Sequence, residues 1–496
     1  MTATRPTAAR SAPAGRPAGT TMNLPGRGRW LALAVVCAGS LMNVLDNTIV
    51  SVALPSIRHD LGFSPVSLAW VVNAYLLTYG GFLLLGGRLG DLFGYRRLFV
   101  AGTALFTLSS LACGLAPAQG YLIAARAVQG FGGAVASAVA LSLVVSMFTE
   151  PAERAKAMGV FGFIAAGGGS IGVLLGGVLT EWLSWHWIFL VNVPIGVAVC
   201  AASLRVLPAG RGADGDGRRL DIIGAVLVTA ALMLAVYAVV NASRVGWLAG
   251  RTLGVLGLSA LLLAAFALAE TRVSSPLMPL RVFRVPNLAA ANVIGVLWAA
   301  AMFAWFFLTT LYLQLVLHYS PLQVGLAFLP ANVIMGAFSV GLSARLVGRF
   351  GIRRPLSAGL LLAAAGLLLF ARAPVGGQFA LDVLPAIVLL GVGTGMAFNP
   401  VMLAAVGDAE PSESGLASGV LNTSLMMGGA LGLAVLASVA ASRTQHLLGA
   451  RHGQVVALTG GYHAAFLVGA LFAVVAAVLG AGLLRPARPH EAPVAE

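Results

Sequence analysis

The chain has 496 residues, of which 59% are hydrophobic and only 9% are charged, and its formal net charge is +14. Ordinary soluble proteins are roughly a quarter charged, so this composition excludes a soluble protein and indicates one that crosses a membrane many times. The basic residues lie almost entirely in short loops, where they set membrane topology, and we therefore expect no nucleic-acid partner.

The chain begins with a polar segment and continues as a series of apolar runs. Residues 1–29 carry five arginines, no acidic residue and many Pro, Ala and Gly, which predicts a disordered cytoplasmic tail. The apolar runs that follow are each close to the ~20 residues that a helix needs to cross the hydrocarbon. They predict an all-α polytopic membrane protein with 14 transmembrane helices, at residues 30–52, 68–87, 98–116, 121–147, 157–180, 187–207, 220–241, 251–269, 288–316, 322–344, 355–373, 382–406, 414–441 and 462–484. A second cytoplasmic tail is expected over residues 485–496.

An internal repeat relates two distant segments. The segment "RLGDLFGYRRLFVAG" at 88–102 is similar to "RLVGRFGIRRPLSAG" at 345–359. Each copy follows the second helix of a six-helix unit in the same orientation, which is typical of secondary transporters. We therefore predict an N-terminal six-helix bundle (30–207), two inserted transmembrane helices with cytoplasmic linkers (208–287) and a C-terminal six-helix bundle (288–484).

The distribution of basic residues and cysteines indicates where the protein resides. If the N-terminus is inside, most arginines fall on cytoplasmic loops, so both termini are predicted to be cytoplasmic. The 30 basic residues include a single lysine, Lys156, which is typical of a G+C-rich bacterial genome and favours a multi-pass protein of a bacterial cytoplasmic membrane. Cys37, Cys113 and Cys200 lie in apolar runs without a pairing pattern, so we expect neither a disulfide nor a metal site.

Two charged residues lie deep inside apolar runs: Asp46 in "NVLDNTIVSVALP" and Arg126 in "LIAARAVQGFGG". An ionised side chain at such a depth costs at least ~2.5 kcal/mol. A rise of about 1.5 Å per residue places both at about the same depth, so they are predicted to face each other directly or through water. An acid whose surroundings change as a cavity opens to either side is suited to carry a proton. The alternative is an ion pair that only fixes the packing.

Several motifs in order resemble one transporter family. The segments "LDNTIVSVALP", "GGRLGDLFGYRR", "RAVQGFGGA" and "WIFLVNVPIG" are similar to signatures of the fourteen-span drug:proton antiporter family of the major facilitator superfamily. "PLMPLRVFRVPN", "YLQLVLHYSPLQVGLAFLP" and "GLASGVLNTSLMMGGALG" extend the likeness over residues 30–484. The resemblance implies proton coupling by the aspartate of the first span and its arginine partner, here Asp46 and Arg126, and it suggests a monomer.

The loop "GGRLGDLFGYRR" lies on the predicted cytoplasmic side. Its glycines permit a tight turn between helices, and its aspartate has arginines or a helix N-terminus within reach. The resemblance implies a conformational latch that opens as the halves rock apart, formed by Gly90, Asp91, Gly94, Arg96 and Arg97. Charge that only sets topology is the alternative, but it does not account for the aspartate and the glycines.

The fifth predicted span contains a stripe of glycines. Gly168, Gly172 and Gly176 recur every four residues, and Gly177 follows the last of them. Such spacing favours close approach of two helices, and the resemblance adds a role as a hinge or seal typical of exporters. Val173 stands where the family usually has a proline, which argues against a kink.

Polar and aromatic side chains inside the runs are candidates for the wall of a central cavity, because lipid exposure would leave their polar groups unsatisfied. The candidates are Asn43, Asn47, Asn73, Tyr75, Gln129, Trp298, Trp305, Tyr312, Asn332, Asn399 and Asn422. Contact between helices is the alternative for each. No acidic residue lies between Glu270 and Asp382. Since a desolvated cation requires a counter-charge, this favours neutral, weakly charged or anionic substrates, or an Asp46 that serves proton and substrate in turn.

The sequence contains no GxxxxGK[ST] motif for nucleotide binding, and no nucleophile, metal cluster or cofactor fingerprint. We therefore expect no enzyme, no cofactor and no metal. The predicted function is that of a proton-driven secondary transporter that exports lipophilic drugs or antibiotics by alternating access. Its expected partners are a small lipophilic substrate, protons and the lipid bilayer. A proton-linked transporter of a single physiological metabolite and a non-transporting membrane sensor or scaffold are the alternatives.

Overall fold

A computed structural model gives the fold of most of the chain. It describes residues 26–64, 66–148, 150–208, 221–273, 276, 278, 287–407 and 414–484. Residues 1–25 of the predicted N-terminal tail and the whole tail 485–496 lie outside these ranges, and the first helix begins at Gly26, inside the region predicted as tail.

The described residues form helices and no β-strand. The first half contains α1 (Gly26–Leu61), α2 (Ala69–Phe93), α3 (Tyr95–Gly114), α4 (Gln119–Met147), α5 (Pro151–Trp182), α6 (Trp187–Leu190) and α7 (Asn192–Val206). Two helices follow, α8 (Ile222–Val245) and α9 (Gly250–Arg272). The second half contains α10 (Leu288–Leu315), α11 (Pro321–Ala337), α12 (Ser343–Phe350), α13 (Arg353–Phe370), α14 (Leu384–Val406), α15 (Ser414–Gly449) and α16 (Gln454–Leu483), with π-helical turns at Phe338–Leu342 and Phe379–Val383.

The helices agree with the predicted spans. Within the described residues, 12 helices are long and apolar enough to cross a membrane, and α6 and α7 together form one of them, Trp187–Val206. Helix α5, with 32 residues, occupies the position of the fifth predicted span, and α11 with α12 occupies that of the tenth. The all-α membrane fold is confirmed, and the arrangement is consistent with fourteen spans. Helices are the expected outcome, because backbone polar groups in hydrocarbon must be satisfied within the segment.

The internal repeat is visible in the backbone. Gly94 joins α2 to α3 with φ 90°, and Gly351 separates α12 from α13 with φ 73°. Positive φ strains residues that carry a Cβ atom. The two matched glycines therefore allow the same sharp turn in both halves.

The helices pack in two groups that meet along two seams. In the first half α4 packs against α2 and α3, and α1 against α5; in the second half α13 packs against α14 and α16, and α10 against α15. The seams between the groups are formed by α5 with α11 and by α2 with α15. The pair α8 and α9 packs together, and α8 also contacts α2 and α15, so the inserted helices lie beside the second seam.

Candidate functional site: a buried carboxylate network

Asp46 lies in the middle of α1 and is completely buried, with 0% of its surface exposed. Its Oδ2 accepts a hydrogen bond from Nη1 of Arg126 on α4 at 2.5 Å, and Arg126 is itself 1% exposed. The structure thus brings together the two charges that the sequence placed at one depth. An uncompensated charge at this position would be very costly, so each ion makes the other tolerable.

The second oxygen of the carboxylate is also paired. Oδ1 of Asp46 accepts from Nε2 of Gln129 at 2.8 Å and from Nδ2 of Asn192 at 3.1 Å. Gln129 comes from α4, one turn after Arg126, and Asn192 is the first residue of α7. Helices α1, α4 and α7 are therefore tied to one acid.

Arg126 has further partners besides the acid. Its Nε donates to the carbonyl oxygen of Val71 on α2 at 2.9 Å, and its Nη1 donates to Oε1 of Gln129 at 2.6 Å. Gln129 Nε2 also donates to Oγ of Ser110 on α3 at 2.7 Å. With Asp46, the network therefore connects five helices of the first half, α1 to α4 and α7.

Aromatic rings enclose the guanidinium group. The Cζ atom of Arg126 lies 4.4 Å from the centroid of the Tyr75 ring and 5.6 Å from that of Phe189. Cation–π contacts of this kind contribute ~0.5–2 kcal/mol and more when water is excluded. The rings therefore stabilise the cation in a dry environment without adding a second negative charge.

Two members of the network were not predicted from the sequence. Ser110 and Asn192 were not among the candidates, although Asn192 lies inside the motif "WIFLVNVPIG". The amide of Asn192 lies in an apolar run, and this position could have marked it as a candidate in the sequence. Ser110 offers no such signal, because serines in membrane helices commonly satisfy themselves on their own backbone.

The other candidates on α1 differ from Asp46. Asn43 is buried and donates from Nδ2 to Oγ of Ser137 on α4 at 3.1 Å. Asn47 is half-buried. Asn43 and Asp46 thus both face α4, and Asn47 keeps access to the surroundings of α1.

The glycine stripe of α5 packs against α1. A Cβ atom at Gly168 would lie 2.9 Å from Cγ1 of Val44, and one at Gly176 would lie 2.7 Å from the carbonyl oxygen of Ile49. Gly172 likewise faces Leu45, whose carbonyl oxygen would lie 3.0 Å from an added Cβ. These three glycines therefore allow close packing inside the first half.

The predicted latch is only partly visible. A Cβ atom at Gly90 would lie 2.6 Å from Cγ1 of Val139, so α2 and α4 approach closely there. Arg96 donates to the carbonyl oxygen of Leu204 at the end of α7, and Arg97 is exposed. The side chain of Asp91 lies outside the described part of the structure. The bond of Arg96 joins two helices of the first half, and the latch stays a prediction.

The aromatic candidates of α10 contact the neighbouring helices of the second half. The Trp298 ring lies 5.8 Å from that of Phe398 on α14, and the Trp305 ring lies 5.7 Å from that of Phe328 on α11. Tyr312 lies near the end of α10, where its hydroxyl donates to the carbonyl oxygen of Pro374 at 2.8 Å. Trp298 and Trp305 thus lie among the helices of the second half, and Tyr312 anchors a loop.

The remaining polar candidates are dispersed. Asn399 and Asn422 are half-buried, and Asn422 donates to the carbonyl oxygen of Ser418 one turn earlier at 3.0 Å. Asn73 on α2 is 0% exposed, and neither polar atom of its amide has a hydrogen-bond partner among the described residues. The Nδ2 atom of the buried Asn332 on α11 also has no hydrogen-bond partner among the described residues. These residues do not converge on the Asp46 network.

Comparison with known proteins identifies the family. The family model described as Major Facilitator Superfamily matches residues 36–433. The chain belongs to the major facilitator superfamily. This assignment confirms the superfamily that the motifs indicated, and the match includes Asp46, Arg126 and most of both halves.

Relatives within the superfamily carry names of antibiotic resistance and export. The chain is 41% identical to the puromycin resistance protein pur8 of Streptomyces alboniger, over 93% of this chain and 95% of that protein. It is 39% identical to the cephamycin export protein CmcT of Amycolatopsis lactamdurans, over 90% and 91% of the two chains. It is also 36% identical to the tetracenomycin C resistance and export protein of Streptomyces glaucescens, over 84% and 76%.

Solved structures of other transporters resemble the chain over almost its whole length. A bacterial homologue of the human lysosomal transporter Spinster, in an inward-facing and unoccupied conformation, matches with a TM-score of 0.66 and 15% identity, over 92% of this chain and 97% of that one. An auto-inhibited peptide transporter of the POT family matches with a TM-score of 0.63 and 16% identity. At this level of identity the likeness establishes the fold alone.

Proposed function

We propose that this protein is a proton-driven transporter that exports lipophilic compounds, antibiotics among them, across a bacterial cytoplasmic membrane by alternating access. The observation that carries the proposal is the buried pair of Asp46 and Arg126 at the centre of the first half of a repeated transporter fold. The names of the related resistance and export proteins support the direction of transport.

Asp46 is the proposed proton carrier. It is the only acidic residue in the middle of a predicted span, and its carboxylate is held by three side-chain donors from Arg126, Gln129 and Asn192. Protonation removes the charge that these donors stabilise, so the free energy of the network differs between the two protonation states. When the two bundles part, water reaches this network from one side of the membrane, so Asp46 exchanges its proton with that side and the proton is coupled to the conformational change.

The moving bodies are the six-helix bundles 30–207 and 288–484. Their seams, α5 with α11 and α2 with α15, are helix pairs that can slide or part while each bundle keeps its own packing. Of the inserted helices, α8 contacts both α2 and α15 and packs against α9, so this pair lies beside the seam of α2 and α15. With both termini cytoplasmic and a monomer as the transporting unit, one chain contains the complete path.

The proposed substrates are lipophilic molecules rich in hydrogen-bond acceptors and without a strong positive charge. The indole nitrogens of the buried Trp298 and Trp305 and Nδ2 of Asn332 have no acceptor within the described ranges. All three are donors, and no acidic residue lies between Glu270 and Asp382. A ligand that supplies carbonyl or ether oxygens would satisfy donors that otherwise cost ~1–3 kcal/mol each.

The test is a resistance and accumulation profile in an efflux-deficient bacterial host. Wild type is compared with Asp46→Asn and with Asp60→Asn, which alters an acid at the C-terminal end of the same helix, where Asp60 accepts a hydrogen bond from Trp185. We expect Asp46→Asn to reach the membrane but to lose resistance to several unrelated lipophilic antibiotics, and Asp60→Asn to keep it. Normal efflux driven by a pH gradient in Asp46→Asn liposomes would refute the proton role. A change restricted to one metabolite would favour the single-substrate transporter instead.

A further inference from the structure

The two halves are in backbone contact at the predicted external ends of α5 and α11. A Cβ atom at Gly177 on α5 would lie 2.8 Å from the carbonyl oxygen of Pro321 and 2.9 Å from Cα of Leu322. One at Gly325 on α11 would lie 3.0 Å from the carbonyl oxygen of Val173. The glycines therefore let the two helices approach to a distance that larger residues would prevent.

Glu181 extends this contact with a charge. Its Oε2 accepts from Oγ of Ser320 at 2.6 Å and from the backbone N–H of Leu322 at 2.9 Å. Glu181 belongs to the last turn of α5, and the two donors belong to the start of α11. Both hydrogen bonds thus cross from the first half to the second.

The start of α11 is prepared to receive a carboxylate. Ser320 and Gln323 form a capping box, in which the N–H of Gln323 donates to Oγ of Ser320 at 3.3 Å and the N–H of Ser320 donates to Oε1 of Gln323 at 2.9 Å. The backbone N–H of Leu322 lies in the first turn of α11, where the helix itself offers no acceptor. The carboxylate of Glu181 is its acceptor. A negative charge at a helix N-terminus is also favoured by the helix dipole.

The loop that follows Glu181 is held by the first half. Shortly after it, Nε1 of Trp185 donates to Oδ2 of Asp60 at the end of α1 at 2.8 Å, and the ring of His186 stacks on Trp185 with centroids 3.8 Å apart. The loop after α5 is thereby tied to α1. A displacement of the first half therefore moves Glu181 with it and breaks the contact with α11.

We propose that Glu181 is a positioning residue of the transport cycle, which closes the predicted external side by capping the N-terminus of α11 across the two halves. Opening to that side separates the carboxylate from Ser320 and Leu322 and breaks both hydrogen bonds. The cap thus stabilises the externally closed conformation and sets its population relative to the open one.

The experiment measures the distance between the halves in the full-length protein reconstituted in lipid nanodiscs. Cys37, Cys113 and Cys200 are replaced by alanine, and spin labels are attached to cysteines introduced at the exposed Leu183 and Leu326. Pulsed electron paramagnetic resonance then gives the ratio of long to short distances. The measured distances require neither a substrate nor proton coupling. Failure of this proposal can therefore be distinguished from failure of the proposed function.

We expect Glu181→Ala to raise the ratio of open to closed molecules about tenfold, the size expected for two lost hydrogen bonds to a charged group at a helix terminus. Glu181→Gln keeps an acceptor oxygen and should have a smaller effect. Ser320→Ala should also have a smaller effect, and its combination with Glu181→Ala should add little, because both remove parts of one contact. If Glu181→Ala does not fold, the other two single variants still carry the test.

Asp382→Asn is the matched control. Asp382 lies on the same predicted side, and its Oδ2 accepts from the backbone N–H of Gln378 at 2.7 Å, but both residues belong to the second half. Its substitution should leave the distance distribution unchanged. An unchanged distribution in folded Glu181→Ala and Glu181→Gln, or an equal shift in Asp382→Asn, would overturn the proposal.

Discussion

The two halves differ in which buried polar groups of their central helices have partners. In the first half, both oxygens of Asp46 and two nitrogens of Arg126 have hydrogen-bond partners. In the second half, the buried indole nitrogens of Trp298 and Trp305 lack an acceptor among the residues that the structure describes. The first half therefore contains a closed ionic network and leaves neutral groups, such as the amide of Asn73, unpaired in the described ranges, whereas the second half leaves indole donors unpaired between aromatic rings.

The difference follows from the cost of each arrangement. An unpaired ion in a dry interior costs several kcal/mol, so the first half can keep its acid only inside a complete set of partners. A neutral donor without a partner costs ~1–3 kcal/mol, which a fold can retain if a ligand later satisfies it. Under the proposed function, the first half binds the proton and the second half binds the acceptor groups of the substrate.

The largest expected effect comes from removing the cation of the first half. Arg126→Leu leaves the carboxylate of Asp46 buried beside Gln129 and Asn192 without its counter-ion, and we expect a loss of stability of about 3–5 kcal/mol. The midpoint of thermal unfolding in detergent, followed by the fluorescence of a thiol-reactive dye, measures this loss.

The double variant Asp46→Asn with Arg126→Leu distinguishes charge from packing. It removes both ions, so it should unfold at a higher temperature than Arg126→Leu alone. If the double variant is as unstable as the sum of the single ones, the network contributes through shape and not through charge, and the contrast between the halves weakens.

A smaller loss of stability is expected from a substitution at the close contact of α5 with α1. Gly176→Ala places a Cβ atom 2.7 Å from the carbonyl oxygen of Ile49, a backbone atom that cannot move aside cheaply. We expect a destabilisation of about 1–3 kcal/mol from this overpacking. Gly169→Ala on the same helix is the control, because its Cβ atom would lie 3.7 Å from Cγ2 of Thr48. Equal melting temperatures of the two variants would contradict close packing of α5 on α1.

The helices and the pairing of Asp46 with Arg126 could be predicted from the sequence. Apolar runs and charge placement predicted the helices, and the depth count predicted that Asp46 and Arg126 would meet, because one rise per residue applies to both helices. The glycines of the first copy of the repeat predicted a tight turn, and Gly94 forms it with positive φ; the aligned Gly351 has positive φ as well. These features depend on local periodicity, which one sequence contains.

Contacts between distant helices were not accessible in the same way. Neither the hydrogen bond of Asn192 to Asp46 nor that of Glu181 to Ser320 follows from spacing, because each depends on how two helices are rotated about their axes. The glycine stripe illustrates the limit. Its spacing predicted close approach of helices, but not that Gly176 would face α1 while the adjacent Gly177 would face α11.

The donors of the second half can be tested by a substitution that keeps the ring. Trp305→Phe removes the indole N–H and retains most of the contact with Phe328. We expect the apparent KM for an acceptor-rich substrate to rise about fivefold, as for one lost hydrogen bond, with little change for an aromatic substrate that has few oxygens. Transport into inverted vesicles measures both values. An equal rise for both substrates would assign Trp305 to packing alone.

The smallest expected effect concerns the two copies of the repeat on the predicted cytoplasmic side. Arg96 donates to the carbonyl oxygen of Leu204, whereas the matching residue of the second half, Arg353, has a buried Nε atom without a partner in the described ranges. Arg96→Gln should therefore cost up to about 1 kcal/mol, and Arg353→Gln should be close to neutral. Because the bond of Arg96 joins α3 to α7 inside one half, its loss should reduce stability slightly and leave transport within about twofold of wild type. A tenfold loss of transport in stable Arg96→Gln protein would mean that Arg96 contacts the other half in another conformation, as the predicted latch requires.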